Sequence, residues 1–247
     1  MDHQEFERNY RIETKYWWNV GRFHIIETFT KRYIRPKEGH RMVDLGSGTG
    51  ATTLWLQKFG PIKAVDESPL ALSYCRRRGL KDLTRSDLER IKLPSGSFNA
   101  AFALDILEHI RDDRKALREI HRILKPGGKL LITAPAYQWL FSEHDEVCHH
   151  YRRYTLSGMT TKVEQAGFKV LRKSYCIMFL FFPLAALLHF RSLFKRDKKI
   201  MTSVVPLPSW LNLLLIGLLY LENLLLRFLD LPFGVSVILL AEKPPKK

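Results

Sequence analysis

The chain has 247 residues, 46% of them hydrophobic, and a formal net charge of +15 at pH 7. This length accommodates one sizeable α/β domain with an elaboration, and two full enzyme domains would fit only tightly. The three cysteines form no C-x-x-C pair, which argues against a disulfide framework or a zinc ribbon, while the charge favours an anionic neighbour without choosing between nucleic acid and phospholipid.

Apolar and aromatic residues recur at helical spacing from about Phe6 to Tyr33, until Arg35-Pro36 breaks the pattern. We therefore expect a helical N-terminal cap over residues 1–40. The first residues lack the apolar core of a secretory signal, and a cytoplasmic location fits.

From Arg41 onward, short apolar runs end in glycine or aspartate and alternate with helical segments. This alternation is typical of βαβ units in a mainly parallel sheet. Strands are predicted at about residues 41–45, 62–66, 83–87, 98–104 and 129–133, with helices at about 50–59, 69–78 and 112–124. Later elements are a histidine-rich loop at 142–154, a helix at 155–166, and strands at 169–175 and 234–241.

The segment from Asp44 to Gly50 stands where a strand ends and a helix begins, and ligands bind at that edge of an open α/β sheet. Its glycines allow a sharp turn and let a ligand lie against bare backbone. Gly46-x-Gly48-x-x-Ala51 also fits a dinucleotide fingerprint. Asp44 favours a different ligand, because a carboxylate there opposes a pyrophosphate and attracts a cationic sulfonium.

Five motifs in register resemble the class I S-adenosylmethionine-dependent methyltransferases. They are residues 43–50, Ala64-Val65-Asp66, Ser86-Asp87-Leu88, residues 102–110 and Leu124-Lys125-Pro126-Gly127-Gly128. The resemblance runs in order from about residue 42 to 135 and returns with the closing strands. It implies a doubly wound, seven-stranded, mainly parallel α/β sheet of the Rossmann-like kind over residues 41–176 and 233–243, with S-adenosylmethionine as the cofactor.

The resemblance also assigns cofactor contacts. The methionine part would meet Asp44, Gly46, Gly48 and Gly50, the ribose would meet Asp66, and the adenine would meet Asp87 with Leu88; Leu104 belongs to the motif after the fourth strand. Trp18 and Arg22 resemble a leading segment that closes over the cofactor, where an arginine pairs with its carboxylate. The alternatives are that Asp66 and Asp87 are helix caps and that Trp18 and Arg22 only pack.

The histidine-rich loop follows the fifth strand, at the expected catalytic edge. A base oriented by a carboxylate is a natural interpretation of His144 with Asp145, and His109 is a second candidate base. The rest of the loop offers groups for the acceptor, with arginines suited to a phosphate or carboxylate: His149, His150, Arg152, Arg153 and Tyr154. A solvated polar loop is the first alternative. A metal site formed by His, Asp and Cys is the second, and we do not predict it because the ligand spacing is unclear.

Residues 177–232 form an apolar insertion before the last strand. Residues 176–190 are too few to span a bilayer, which takes about 20. In and directly after the leucine-rich segment 210–229, four polar residues form a narrow stripe on a helical wheel, as in a helix that lies in a membrane interface or packs on its own domain: Asn212, Asn223, Arg227 and Asp230. The basic residues between the two segments would favour an anionic membrane: Arg191, Lys195, Arg196, Lys198 and Lys199.

These features together predict a methyltransferase that is peripherally associated with the membrane and methylates an oxygen, or secondarily a nitrogen, of a small lipophilic acceptor. A nicotinamide-dependent oxidoreductase and a non-catalytic membrane adaptor are the alternatives. A nucleic-acid partner is not expected, because the chain lacks an Asn/Asp-Pro-Pro-Tyr/Phe motif and its basic residues cluster beside apolar segments. The oligomeric state is not predicted.

Overall fold

The computed structural model describes residues 3–186 and 207–245. The basic stretch predicted to face an anionic membrane, residues 191–199, lies outside them. The helices are α1 (His3–Ile12), α2 (Trp17–Phe29), α3 (Ala51–Leu56), α4 (Pro69–Arg77), α5 (Asp113–Ile123), α6 (Glu143–Val147), α7 (Leu156–Gln165) and α8 (Ser209–Leu226). The strands are β1 (Met42–Leu45), β2 (Ile62–Asp66), β3 (Leu83–Arg85), β4 (Phe98–Leu104), β5 (Leu124–Pro135), β6 (Lys169–Cys176) and β7 (Ser236–Glu242).

The strands form one seven-stranded sheet in the order β3-β2-β1-β4-β5-β7-β6. Strands β1 to β5 pair in parallel, and β7 is antiparallel to both β5 and β6. The predicted doubly wound, mainly parallel sheet is therefore confirmed. Its carboxyl edge gathers the loops that follow β1, β2, β3, β4 and β5, where ligands bind in such sheets.

The predicted N-terminal cap consists of two helices, because the chain turns between Ile12 and Trp17. The largest difference from the sequence-based boundaries is at the end of the parallel region. Strand β5 begins at Leu124, five residues before its predicted start, since Gly127 and Gly128 pair with Lys243, just after β7.

Helix α8 packs on α2, and its buried side chains join the core layer on that face of the sheet. A Cβ on Gly21 of α2 would lie 2.2 Å from Leu219, so this glycine allows the two helices to approach closely. Leu219 and Leu226 share that layer with Phe29 of α2 and Leu131 of β5. The leucine-rich segment is thus part of the same packed body as the sheet.

Candidate active site

The glycine-rich loop joins the end of β1 to the start of α3. Gly46, Gly48 and Gly50 have φ angles of 78°, 54° and 86°. A Cβ on Gly46 would lie 2.4 Å from Ile106, and one on Gly50 would lie 2.7 Å from Leu80, so packing closes these two positions. A Cβ on Gly48 would meet no atom within 4 Å. The open side of the loop is therefore at Gly48, which leaves room for a ligand against the backbone.

Asp44 stands in β1 just before the loop and is only 2% exposed. Its Oδ2 accepts a hydrogen bond from the Thr53 hydroxyl at 2.5 Å. Burial raises the pKa of Asp44 from 3.8 to about 6; the Thr53 bond opposes the rise, and the nearby Asp66 adds to it. The groups that shift this pKa include no cation. A cationic ligand in the loop would supply the missing counter-charge.

Asp66, at the end of β2, ties the loop to the second strand. Its Oδ2 accepts from the Gly48 amide at 2.9 Å, and its Oδ1 accepts from the Ser68 amide at 2.9 Å. Burial, the largest influence, raises its pKa. The carboxylate therefore holds the loop in shape, and its contact with a ribose stays a prediction.

An open cleft of about 690 Å³ lies at the carboxyl ends of β2 and β3. Asp87 lines it and also caps the following turn, with its Oδ1 accepting from the Glu89 amide at 2.8 Å. Leu88 is 7% exposed and Leu104 is 9% exposed, so both belong mainly to the core. The cleft lies between the residues that directly follow Asp66 and the segment predicted to hold the adenine. Its position therefore fits the nucleoside part of the cofactor.

Arg22 reaches from α2 to the end of β4. Its Nη2 lies 2.6 Å from Asp105 Oδ2 and 3.2 Å from the Thr133 hydroxyl, which in turn donates to Asp105 Oδ1 at 2.8 Å. Trp18, one turn earlier, stacks edge-to-face on Trp17 with ring centroids 5.4 Å apart. The predicted pairing of Arg22 with a cofactor carboxylate would have to share this guanidinium with Asp105.

Glu13, in the turn between α1 and α2, contacts the glycine-rich loop directly. Its carboxylate accepts from the Thr49 hydroxyl and pairs with Arg78. Burial raises the pKa of Glu13 to about 7, while Arg78 opposes the rise. The N-terminal cap thus rests on the cofactor loop through a buried carboxylate that the sequence interpretation missed.

The histidine-rich loop is organised around Asp145, which is fully buried. His150 Nδ1 donates to Asp145 Oδ1 at 2.8 Å, and Arg153 donates to both carboxylate oxygens at 2.8 Å. These partners hold the pKa of Asp145 well below its usual value against the effect of burial. The carboxylate orients His150, whereas the predicted partner His144 instead contacts the Cys148 thiol at 3.6 Å. A histidine–carboxylate hydrogen bond is therefore present in the loop, with His150 in the place predicted for His144.

Two residues predicted to bind the acceptor are engaged elsewhere. Arg152 pairs with Asp113 at 3.0 Å and donates to the Arg111 carbonyl at 2.7 Å. The buried Tyr154 hydroxyl donates to Asp113 at 2.8 Å. These contacts anchor the loop to the start of α5, and with Arg153 committed to Asp145 they revise the idea that the two arginines grip an acceptor. His149, at the bend of the loop, is exposed and has a φ of 57°.

Glu108, His109 and His150 come together where the turn after β4 meets the histidine-rich loop. One ligand atom from each lies within 4.8 Å of the others, so these three groups could hold a cation. Glu108 is 1% exposed, and its Oε2 has no hydrogen-bond partner in the described part of the chain. Burial, and to a smaller extent the imidazole of His150, lowers the pKa of His109 to about 4. His109 therefore stays neutral at physiological pH.

An aromatic cluster extends from this edge towards α8. Tyr137 and Trp139, after β5, contact Phe181 with ring centroids 5.6 and 6.0 Å apart, and Phe181 also contacts Phe182 and Phe233. Trp139 is 65% exposed and Phe182 is 67% exposed. An apolar molecule can therefore meet aromatic surface close to the histidine-rich loop.

Helix α8 turns its polar side chains inward. Asn212 accepts from the Trp17 amide at 2.9 Å and donates to the Lys15 carbonyl, and Asn223 donates to the His24 carbonyl at 3.2 Å. Glu222, which the predicted polar stripe omitted, is fully buried and accepts from the amides of residues 177, 178 and 179. A lone acid within a leucine-rich run was its only signal in the sequence.

The outward side of α8 is apolar. Its most exposed large side chains continue into the residues that follow the helix: Trp210, Leu213, Leu214, Tyr220, Leu221, Leu224, Phe228 and Leu229. By length and composition α8 is also the one helix in the described residues that could cross a membrane, with a mean hydropathy of 1.6, which is weak support for a span. Contiguous exposed apolar surface of this kind marks contact with a membrane or a partner.

Comparison with known proteins identifies the central part of the chain. Residues 43–132 match the methyltransferase domain family. A ubiquinone biosynthesis O-methyltransferase from Xanthomonas oryzae is 27% identical over 131 residues, which is 47% of this chain and 55% of that protein. A sterol 24-C-methyltransferase from Aspergillus fumigatus is 30% identical over 130 residues, which is 49% of this chain and 33% of that protein. The match thus spans from a third to about half of these relatives.

The fold agrees with this domain assignment. The crystal structure of an S-adenosylmethionine-dependent methyltransferase from Mesorhizobium loti aligns with 85% of this chain and 94% of its own, at a TM-score of 0.55 and 18% identity. The resemblance predicted from the five motifs is confirmed: the chain carries a class I methyltransferase domain. Domain and fold imply S-adenosylmethionine, rather than a nicotinamide, as the cofactor.

Proposed function

We propose that the protein transfers a methyl group from S-adenosylmethionine to an oxygen of a small lipophilic acceptor at the surface of a membrane, with a nitrogen as the second candidate atom. The hydrogen bond between His150 and the buried Asp145 carries the choice of oxygen. A hydroxyl must lose its proton during methylation, and an imidazole held by a carboxylate is suited to accept it.

The carboxyl edge of the sheet fits the cofactor in two respects. Gly48 leaves open space against the backbone, and Asp44 is a buried carboxylate that pairs with no cation among the described residues. When bound, the cofactor supplies a methyl group activated by a positively charged sulfur. Asp44 and the loop would hold its charged methionine part, and the cleft at Asp87 would hold its nucleoside part.

The chain itself has to align the acceptor and move one proton. His150 uses Nδ1 to bind Asp145, which leaves Nε2 to take the proton of the acceptor hydroxyl as the oxygen–carbon bond forms. Asp145 stabilises the resulting imidazolium, and Arg153 keeps Asp145 ionised. His109, in edge-to-face contact with His150 at 4.5 Å, packs against the base rather than sharing its proton.

The lipophilic nature of the acceptor is supported by surface chemistry. The outward face of α8 is apolar while its two asparagines bind α2, and the aromatic cluster around Phe181 leads from α8 towards the histidine-rich loop. The names of two relatives, a sterol and a ubiquinone-pathway methyltransferase, are consistent with such an acceptor. We place the protein in the cytoplasm, with α8 lying against the membrane.

The proposal is tested by offering the full-length protein labelled S-adenosylmethionine with a lipid extract, an aqueous metabolite extract and total nucleic acid in separate reactions. We expect label in the lipid extract, and the His150→Ala variant should lose it while the His144→Ala variant keeps it. Transfer of label only to aqueous metabolites or to nucleic acid would refute the acceptor class.

Two further readouts of the same assay address the mechanism. Alkaline-stable ether linkage of the label, identified by mass spectrometry, would support oxygen as the acceptor atom, and label on an amine would assign nitrogen. If a chelator abolishes the activity and Mn²⁺ restores it, the mechanism would use a cation held at Glu108, His109 and His150 in place of the base. A protein that binds cofactor but labels none of the three fractions would be a non-catalytic adaptor.

A further inference from the structure

A second cleft lies away from the carboxyl edge, beside the outermost strand β6. It has a volume of about 550 Å³ and is open to solvent. Four segments line it: the turn that continues α2, represented by Arg32; helix α7, represented by Glu164; the exposed edge of β6, represented by Lys173; and the residues just after α8, represented by Arg227 and Phe228. We call it the lateral cleft. None of the residues assigned to the candidate active site lines it.

The charges in the lateral cleft do not balance. Arg172 is neutralised internally, because it binds Asp230 at 2.7 Å and donates to the carbonyls of Leu226 and Leu229 at 2.6 and 2.9 Å. The same ion pair neutralises Asp230. The remaining lining charges are three cations and the single carboxylate of Glu164: Arg32, Lys173 and Arg227.

These three cations are available to a ligand. No ion pair in the described part of the chain includes Arg32, Lys173 or Arg227. Arg32 and Lys173 are exposed, and Arg227 is half-buried. The Arg32 guanidinium lies 5.8 Å from the centre of the Phe228 ring. The cleft therefore has an excess of positive charge that faces solvent and borders an aromatic side chain.

An apolar surface begins at the mouth of the cleft. Phe228 lines the cleft and is 79% exposed, and Leu229 beside it is 58% exposed. Leu224 and Leu221 continue this surface along α8. A ligand that matches both parts carries a negative charge attached to hydrocarbon. A nucleic acid or a free phosphate matches only the charged part.

We propose that the lateral cleft binds the anionic head group of a phospholipid, whose acyl chains lie against the outward face of α8. The proposal rests on the membrane-surface part of the proposed function and adds a lipid class, a location and an orientation. It places the outer edge of the sheet, at β6, against the lipid layer together with α8.

The test compares full-length variants in flotation with two kinds of vesicle, one of phosphatidylcholine alone and one that also contains phosphatidylglycerol. The cleft variant combines Arg32→Glu, Lys173→Glu and Arg227→Glu. The control variant makes the same change in net charge at exposed cations elsewhere, with Lys81→Glu, Arg114→Glu and Arg118→Glu. Circular dichroism and cofactor binding establish that both variants are folded.

We expect the cleft variant to bind the anionic vesicles at least about a hundredfold more weakly than the natural protein, because three positive charges are lost and each charge near the surface contributes about a factor of five. The control variant should lose less than about threefold, since its charges lie away from the lipid. Equal losses in the two variants would show general electrostatic attraction and overturn the proposal, and so would no loss in either.

Three further outcomes separate the ligand sources and the two proposals. Release of bound protein by glycerol phosphate, but not by equal ionic strength of chloride, would support recognition of the head group. Calorimetric binding of inorganic phosphate by the natural protein and not by the cleft variant, with vesicle binding equal in both, would overturn the lipid and assign a free-phosphate site. Failure of the natural protein to bind any vesicle would defeat the membrane-surface function itself.

Discussion

Asp44 in the cofactor half of the candidate active site and Asp145 in the acceptor half are buried carboxylates with opposite surroundings. Asp44, beside the glycine-rich loop, accepts from one side-chain hydroxyl and has no ion-pair partner among the described residues, so burial raises its pKa to about 6. Asp145, in the histidine-rich loop, has an arginine, a histidine and a backbone amide, and its pKa lies far below the usual value. Asp44 therefore lacks a counter-charge that a cationic ligand can bring, whereas Asp145 has its partners before anything binds.

The largest expected effect is on the rate of methyl transfer, through the acceptor half of the site. Replacing His150 by alanine removes the proposed base, and we expect the methyl-transfer rate constant to fall by a factor of about 10² to 10⁴ with cofactor affinity unchanged. Single-turnover kinetics with labelled cofactor measures this. The His144→Ala variant is the matched control, because His144 contacts Cys148 and not Asp145. A larger loss of the rate constant in the His144→Ala variant would identify His144 as the base.

A smaller effect is expected on cofactor affinity, through the cofactor half of the site. Asp44→Asn keeps the shape of the side chain but removes its charge, and we expect affinity for S-adenosylmethionine to fall about a hundredfold. The loss should be smaller for the demethylated product, which lacks the sulfonium charge. Isothermal titration calorimetry with both ligands measures the difference. Equal losses would mean that Asp44 serves the loop rather than the charge.

When neither protein has cofactor bound, the Asp44→Asn variant should be more stable than the natural protein. The native pKa of about 6 lies above the usual 3.8, so the native state holds a proton that the unfolded chain releases. Ionising Asp44 therefore destabilises the fold as pH rises from about 4 to 6. We expect Asp44→Asn to raise the free energy of unfolding at pH 8 by about 1–3 kcal/mol, measured by urea denaturation. A decrease in the free energy of unfolding would contradict the absence of a counter-charge at Asp44.

The smallest effect is on the pH dependence of binding. Because a cation favours ionised Asp44, affinity for S-adenosylmethionine should fall as pH drops below about 6, by about tenfold per pH unit. Calorimetry between pH 5 and pH 8 measures the slope, and Asp44→Asn should remove it. Glu13, whose pKa is raised to about 7 by burial, also lies against the loop, so Glu13→Gln provides the second control. A slope that survives in Asp44→Asn and disappears in Glu13→Gln would move the titration to the N-terminal cap.

The sequence predicts the cofactor half better than the acceptor half, for a physical reason. The glycines and Asp44 act within one strand–loop–helix unit, whose geometry follows from local residue types. The pairing at Asp145 depends on a short helix. Neighbours such as His144 and Asp145 point in different directions on a helix, while the chain beyond the helix folds back and brings His150 to the carboxylate.

The apolar insertion shows a similar limit. The helical wheel predicts a polar stripe on α8, and Asn212 and Asn223 belong to it in the structure. Periodicity alone does not tell which face meets water, and here both asparagines bind the α2 segment while several leucines, such as Leu213 and Leu221, face outward. Glu222 was not placed because its three amide donors come from residues 177–179, far away in sequence.

Helix α2 is in contact with α8 on one side, through Asn212 and Gly21, and with the end of β4 on the other, through Arg22 and Asp105. If α8 lies on a surface, α2 therefore sets the distance between that surface and the carboxyl edge of the sheet. Acceptors would then be selected by how far their reactive atom projects from that surface as well as by their shape.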